Sequence, residues 1–378
     1  MTGNFRRTQS LDRNPHRVRS FACTGIGSAF SRLALDICSP MQQFHKDNHY
    51  VPQLYLKQWA TGAVVQTYSL LVGHERVPPW KARSLKGIAF HQHLYTNIVN
   101  GVESDDLERW LDSEFEAPAA GAIDLVVKDQ RLSPEQWRNL VRFAVAQDVR
   151  TPARLKHFLQ RQANVMPAML DGVLSSAVAK LESGDLPPAS EEADSGNGFP
   201  LRVVINRLGE EGGGTVGAET IVGRSMWHWT IRHLLTSTID KIPMKGWTIL
   251  KPAHGYKWPT SDSPLIRLRY TDEVSYDFAG GWRSPMGDLI LPISPEHLLH
   301  RCDGVRPRVP GSRLDEATTR KIIRVIIEHA DRYVFSKNPF SVEHLRKRRV
   351  CAETMRTERD FWKTWNMDQL NAERGYSK

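Results

Sequence analysis

Two imidazoles four residues apart flank an acid in the run His45-Lys46-Asp47-Asn48-His49-Tyr50-Val51-Pro52. On a helix, His45 and His49 would share a face and reach one divalent metal, with Asp47 or a distant acid completing the set. Pro52 argues against that arrangement, because a proline disfavours helical geometry at the residue before it. In an extended segment, residues four apart lie about 13 Å from each other, too far to chelate one ion. No metal ligand is therefore assigned, and a divalent metal stays open as a cofactor. His49 is the candidate acid–base residue, since imidazole exchanges protons near neutral pH. The structural alternative is that His49 and Tyr50 anchor this segment to the core through hydrogen bonds.

A second cluster is Gln147, Arg150, Thr151 and Arg154. Helical spacing predicts Gln147, Arg150 and Arg154 along one stripe. Two guanidinium groups on one face suit phosphate or carboxylate, which each can grip with a fork of N–H donors. Tyr50, Gln147, Arg150 and Arg154 are thus the candidate ligand-binding side chains. The competing reading pairs each arginine with an internal acid such as Glu116 or Asp148. Pro152 adds a possible break that changes where Arg154 faces. The third candidate, Asp262, sits in Thr260-Ser261-Asp262-Ser263-Pro264, where it can act as a general base or fix the turn before proline. Ser261 and Ser263 lack the Gly-x-Ser-x-Gly elbow of a nucleophilic serine.

Together these residues describe a hydrolase for a phosphate-bearing substrate such as nucleic acid. His49 or Asp262 moves the proton and the arginines stabilise negative charge. The alternative is a non-enzymatic anion-binding or interaction module whose polar motifs are structural. Whether the chain is an enzyme stays open at this level. Charge distribution adds little support for a nucleic-acid groove. The net charge is +9, but residues 1–40 hold six arginines against two aspartates. Residues 341–378 hold nine Lys and Arg against six Asp and Glu, so the body between them is nearly neutral. None of the four cysteines, Cys23, Cys38, Cys302 and Cys351, forms a C-x-x-C pair. That usage fits a reducing, cytoplasmic compartment. No apolar run is long enough to span a bilayer, so no membrane partner is expected.

The elements that must position these residues are legible in outline. Pro52 opens a short helix carrying Leu54, Tyr55, Leu56 and Trp59. Residues 63–72 read as a strand returning near Arg76–Trp80. Helices follow from Ser104, from the capping box Ser133-Pro134-Glu135-Gln136, and from Thr151-Pro152. Short strands are expected at Leu201–Asn206, Trp247–Leu250, Leu265–Tyr270, Asp288–Pro292 and Tyr333–Phe335. Glu219–Asp240 and Arg313–Ala330 read as helices, and Ser294-Pro295 as the cap of another. His91 and His93 look solvated. The whole predicts an α+β fold, mostly helical, with short strands in small antiparallel groups. One large domain over 41–340 is expected, with a flexible interruption near 183–218. Residues 1–40 read as a basic disordered tail or a misassigned start. Residues 341–378 read as a peripheral charged helical tail.

His49-Tyr50-Val51-Pro52-Gln53, with Tyr55 and Leu56, resembles the signature of the family called domain of unknown function 4238. Gln147, Arg150, Thr151, Pro152 and Arg154 resemble its second motif, with the last arginine one residue early. Thr260-Ser261-Asp262-Ser263-Pro264 is similar to a third, and Leu291-Pro292-Ile293-Ser294-Pro295 with Leu298 to a fourth. The resemblance runs from about Phe44 to Asn338. It implies an element map and no mechanism.

Overall fold

Helices supply most of the main apolar cluster and short strands brace it. The computed structural model describes residues 3–11, 44–99, 102–183, 201–208, 213–272 and 275–376. Helices run over Gln53–Leu56 (α1), Asp106–Leu111 (α2), Ala117–Val127 (α3), Pro134–Val149 (α4), Pro152–Ser183 (α5), Arg224–His233 (α6), Glu316–His329 (α7) and Ala352–Tyr376 (α8). A five-stranded sheet has the order Ile266–Arg267, Asp288–Ser294, His297–Cys302, Thr248–Lys251, Ser312–Arg313. A four-stranded sheet has the order Thr260–Ser261, Tyr333–Ser336, Val64–Ser69, Trp80–Ser84. Pairing within both is antiparallel except where Ser312–Arg313 lies parallel to Thr248–Lys251. The architecture is α+β. Among the described residues, no helix is long and apolar enough to cross a membrane.

Local chemistry explains the element starts nearest the motifs. At α4, the Ser133 hydroxyl accepts the Gln136 N–H, the Gln136 side chain accepts the Ser133 N–H, and Pro134 fills the first turn. Asp315 caps α7 by accepting the Thr318 N–H at 2.8 Å. Ile322, Val325 and Ile326 of α7 are buried at helical spacing. Tyr55 and Leu56 of α1, with Trp59 just beyond it, are fully buried in the main apolar cluster.

Four expectations change. The return strand against Val64–Ser69 is Trp80–Ser84, not Arg76–Trp80. Ser294-Pro295 starts no helix; it turns the chain between the paired strands Asp288–Ser294 and His297–Cys302. Ser-Pro serves helix caps and tight turns alike, and the buried run His297–Leu299 decides for a sheet. Gly213–Val222 is a strand and the helix begins only at Arg224, in keeping with the β-branched Thr220, Ile221 and Val222. In the C-terminal stretch, read as a peripheral helical tail, the helix is Ala352–Tyr376, preceded by the short strand Arg349–Val350, and its Trp365, Gln369 and Leu370 are buried. Gly3–Leu11 pairs antiparallel with Gly213–Val222. The rest of the basic N-terminal stretch, and residues 184–200 and 209–212 of the expected interruption, lie outside the described residues.

Candidate functional site

The four polar motifs meet in space, but mainly through their scaffolding atoms. The Tyr55 hydroxyl donates to the Pro292 carbonyl at 2.7 Å and lies 2.7 Å from the Thr260 hydroxyl. That single phenol joins the first, third and fourth motifs. The Trp59 indole N–H adds a bond to the Trp258 carbonyl at 2.8 Å. The second motif is tied to the first by Arg150, whose Nη2 donates to the His49 carbonyl at 2.7 Å.

Arg150 is fully buried and closed to ligands. It pairs with Glu116 and takes a longer contact to Glu108 at 3.7 Å. Its Nε donates to the Tyr95 hydroxyl at 3.3 Å, and that hydroxyl donates to the Arg150 carbonyl at 2.5 Å. Burial raises the Glu108 carboxyl to about 8 against the pull of Arg150, and the shorter ion pair is the one with Glu116. Arg154 sits on α5, beyond the break after α4, so the expected stripe with Gln147 and Arg150 does not form. Its guanidinium instead clasps Asp148, with Nε bonds to the carbonyl at 3.0 Å and to the carboxylate at 3.1 Å. Gln147 is buried, and its amide nitrogen and oxygen have no hydrogen-bond partner among the described residues.

His49 packs against Phe90 at 5.5 Å between ring centres. Burial lowers its pKa, partly offset by the backbone of Leu85 and Lys86. Asp262 is held by backbone on every side. Its two carboxylate oxygens accept the N–H groups of Asp331 at 2.9 Å and Arg332 at 2.6 Å, and its own N–H donates to the Tyr333 carbonyl. Burial and the neighbouring Asp331 raise its carboxyl above the ordinary range, while those backbone donors pull it down.

One hollow does gather motif residues. A cavity of about 250 Å³ is lined by Tyr50 from the first motif, Pro152 from the second and Asp262 from the third. Arg83, His91, Lys156, Asp331, Arg332 and Tyr333 also line it, and Glu358 of α8 closes one side. Tyr50 is only 3 % exposed, and its hydroxyl makes no hydrogen bond among the described residues. Burial, with Asp262 nearby, pushes its pKa well above the usual phenol value, so it is a neutral donor. Arg83 lines the same hollow, and its Nε is buried without a hydrogen-bond partner among the described residues. His91, expected to be solvated, is stacked between Tyr50 at 5.4 Å and Trp362 at 3.6 Å. Desolvation lowers it to about 3, so the ring is neutral. Lys156 and Arg332 both reach the Glu358 carboxylate, at 2.5 and 2.7 Å.

The cavity thus holds Tyr50 and Asp262 of the candidate residues, while His49, Gln147, Arg150 and Arg154 lie outside its lining. Arg83, His91, Lys156, Arg332 and Glu358 carry no motif spacing that marks them; only folding brings them to the same hollow. Among the described residues, no group of three or more His, Cys, Asp or Glu is arranged to hold a metal.

The fold and cavity define an α+β protein in which three of the four sequence motifs each give a residue to one small hollow. The chain belongs to the family described as Protein of unknown function (DUF4238), whose model matches residues 47–340. No curated protein and no solved structure matches the chain.

Proposed function

We propose that this protein binds a small anionic ligand, phosphate- or carboxylate-bearing, in the cavity between Tyr50 and Asp262. The observation that carries the reading is an unsatisfied donor there. Arg83 Nε is buried with no hydrogen-bond partner among the described residues, the Tyr50 phenol lines the same cavity, and a buried donor without a partner costs free energy that an incoming oxyanion recovers. The volume, about 250 Å³, is just below the range of drug-sized sites. It suits a phosphate group or a short polar headgroup rather than a duplex. A nucleic-acid partner is therefore supported only through a terminal phosphate or a single nucleotide.

Hydrolysis of a phosphate-bearing substrate is the second reading. Its support is Asp262, whose carboxyl is raised by burial and by Asp331 and so is suited to moving a proton. Both its oxygens already accept backbone N–H groups, and His49 lines a different part of the core. Binding is the better supported of the two.

Titration calorimetry with inorganic phosphate, pyrophosphate and a nucleoside monophosphate tests the proposal. Millimolar or tighter binding is expected for at least one. Tyr50→Phe should weaken it about tenfold, the worth of a hydrogen bond to a charged group, and Arg83→Gln by at least as much. Absence of binding to all three, or affinity unchanged in both variants, overturns the assignment. Release of phosphate from a generic phosphoester by wild type, lost in Asp262→Asn, would favour hydrolysis.

A further inference from the structure

A second constellation stands apart from that cavity. Ser294 and His297 lie at the turn between the strands Asp288–Ser294 and His297–Cys302, and Asp129 follows the last residues of α3. The Ser294 hydroxyl is 2.8 Å from His297 Nδ1, and His297 Nε2 is 3.0 Å from an Asp129 carboxylate oxygen. Asp129 takes a left-handed φ of 58°, a conformation aspartate tolerates, where it can meet the imidazole. Lys251 holds the same carboxylate at 2.7 Å. The bonds are mutually consistent: Nε2–H donates to the carboxylate, which leaves the Nδ1 lone pair facing the serine O–H. That is the nucleophile–base–orienter chain of a serine hydrolase with the two ring nitrogens exchanged.

Ser294 and His297 both line a cleft of about 1140 Å³ bounded by α7 and the segment after Tyr333–Ser336. The cleft is basic. Arg320 is engaged by Glu316, and Lys257 by Glu296. Arg324 and Lys337 line it without an ion pair among the described residues. The cleft and the cavity at Tyr50 share no lining residue.

We infer that Ser294, His297 and Asp129 form a nucleophilic site for hydrolysing carboxylic esters whose acyl or alcohol part carries a negative charge held by Arg324 and Lys337. Ser294 Oγ bonds to the ester carbonyl carbon while its proton passes to His297 Nδ1. The tetrahedral adduct collapses, the carbon–alkoxy bond breaks, and the departing alkoxide takes the proton from Nδ1. Water then attacks the acyl-serine, gives its proton to Nδ1, and releases the carboxylic acid as that proton returns to Ser294. The net reaction consumes one ester and one water. Burial lowers the pKa of His297 below its ordinary value, against the pull of Asp129, so the ring is a free base at neutral pH. The Glu296 N–H also donates to Ser294 Oγ at 3.1 Å, fixing the hydroxyl at the turn.

The test is covalent labelling of the full chain with an alkyl fluorophosphonate, read by intact mass and peptide mapping. The serine oxygen displaces fluoride, forming a phosphorus–oxygen bond and releasing HF. One adduct is expected, on Ser294, and none in Ser294→Ala. His297→Gln should slow labelling about 100-fold, the lower end for a general base, and Asp129→Asn should slow it as well. Circular dichroism establishes that each variant is folded. Asp129 is largely exposed, so its variant keeps the test intact if changes at the buried Ser294 or His297 prevent folding. No adduct on folded wild type, under conditions that fully label a known serine hydrolase, overturns the inference. So does an adduct elsewhere only, or a rate unchanged by both His297→Gln and Asp129→Asn.

Discussion

Arg150 is the residue on which the first two motifs close. Its guanidinium sits among Glu116, Glu108, the Tyr95 hydroxyl and the His49 carbonyl, with no exposure to solvent. A buried charge of this kind is tolerated because each donor finds an acceptor, and removing the counter-charge leaves it stranded. The two glutamates are not equivalent. Burial raises the Glu108 carboxyl to about 8, and Glu116 makes the closer ion pair with the arginine. Glu116→Gln should therefore cost about 3 kcal/mol, whereas Glu108→Gln, which replaces one neutral group by another, should stay within about 1 kcal/mol. Urea unfolding of the two variants checks the ranking. Equal losses would mean that both acids share the charge.

At the scale of elements, α1 is the rivet. It is only Gln53–Leu56 long, too short to be stable by itself, and it persists because its side chains are used elsewhere. Tyr55 spans 205 and 237 residues of sequence to meet Thr260 and Pro292. Tyr55→Phe keeps the ring packed against Trp59 and Phe143 but strips the partner from a buried hydroxyl and a buried carbonyl. A loss of about 2 to 3 kcal/mol is expected, with the far-ultraviolet spectrum unchanged. A loss below about 0.5 kcal/mol would show that water or Thr260 repairs the junction at little cost. The segment Thr260–Pro264 belongs to the same junction: Asp262 is a bracket for the backbone after α7 before it is anything else.

The whole molecule extends past the span that the family model covers. The match ends at residue 340, yet α8 supplies Asn366, Gln369 and Glu373 to the fully buried Arg224, and places Glu358 and Trp362 on the cavity. Burial is also felt through pH. His228 lies within the core with Nε2 bonded to the Leu94 carbonyl at 3.0 Å and Nδ1 without a hydrogen-bond partner among the described residues. Desolvation lowers its pKa from 6.5 to about 3, so it is neutral when folded. In the unfolded chain the same ring takes up a proton as pH falls through about 6.5. Its contribution is therefore complete above that value and is lost as pH drops towards 3. By pH 5 this single ring costs about 2 kcal/mol. The melting temperature should fall between pH 7 and pH 5, and His228→Gln should flatten that fall. A slope unchanged in the variant would assign the acid sensitivity to other groups.

What neighbouring residues could determine was readable along the chain. The Ser133–Gln136 capping box, the apolar stripe of α7 and the α+β grouping depend on spacing and on backbone preferences that act over a few residues. The motifs themselves were readable as strings, and a pairing of Arg150 with Glu116 stood among the readings open from sequence. What each motif side chain faces was not. Ser294-Pro295 carries the same local signal for a cap and for a turn, and only the sheet that receives His297–Cys302 chose between them. Tyr50 and His49 are adjacent, yet one lines the hollow and the other does not, because successive residues of an extended segment point to opposite faces. Arg83, Lys156, Arg332 and Glu358 reach that hollow from a strand, two helices and the loop after α7. Their meeting depends on long-range packing, where one step of register exchanges the inward and outward sets of side chains; short-range propensity carries no information about it.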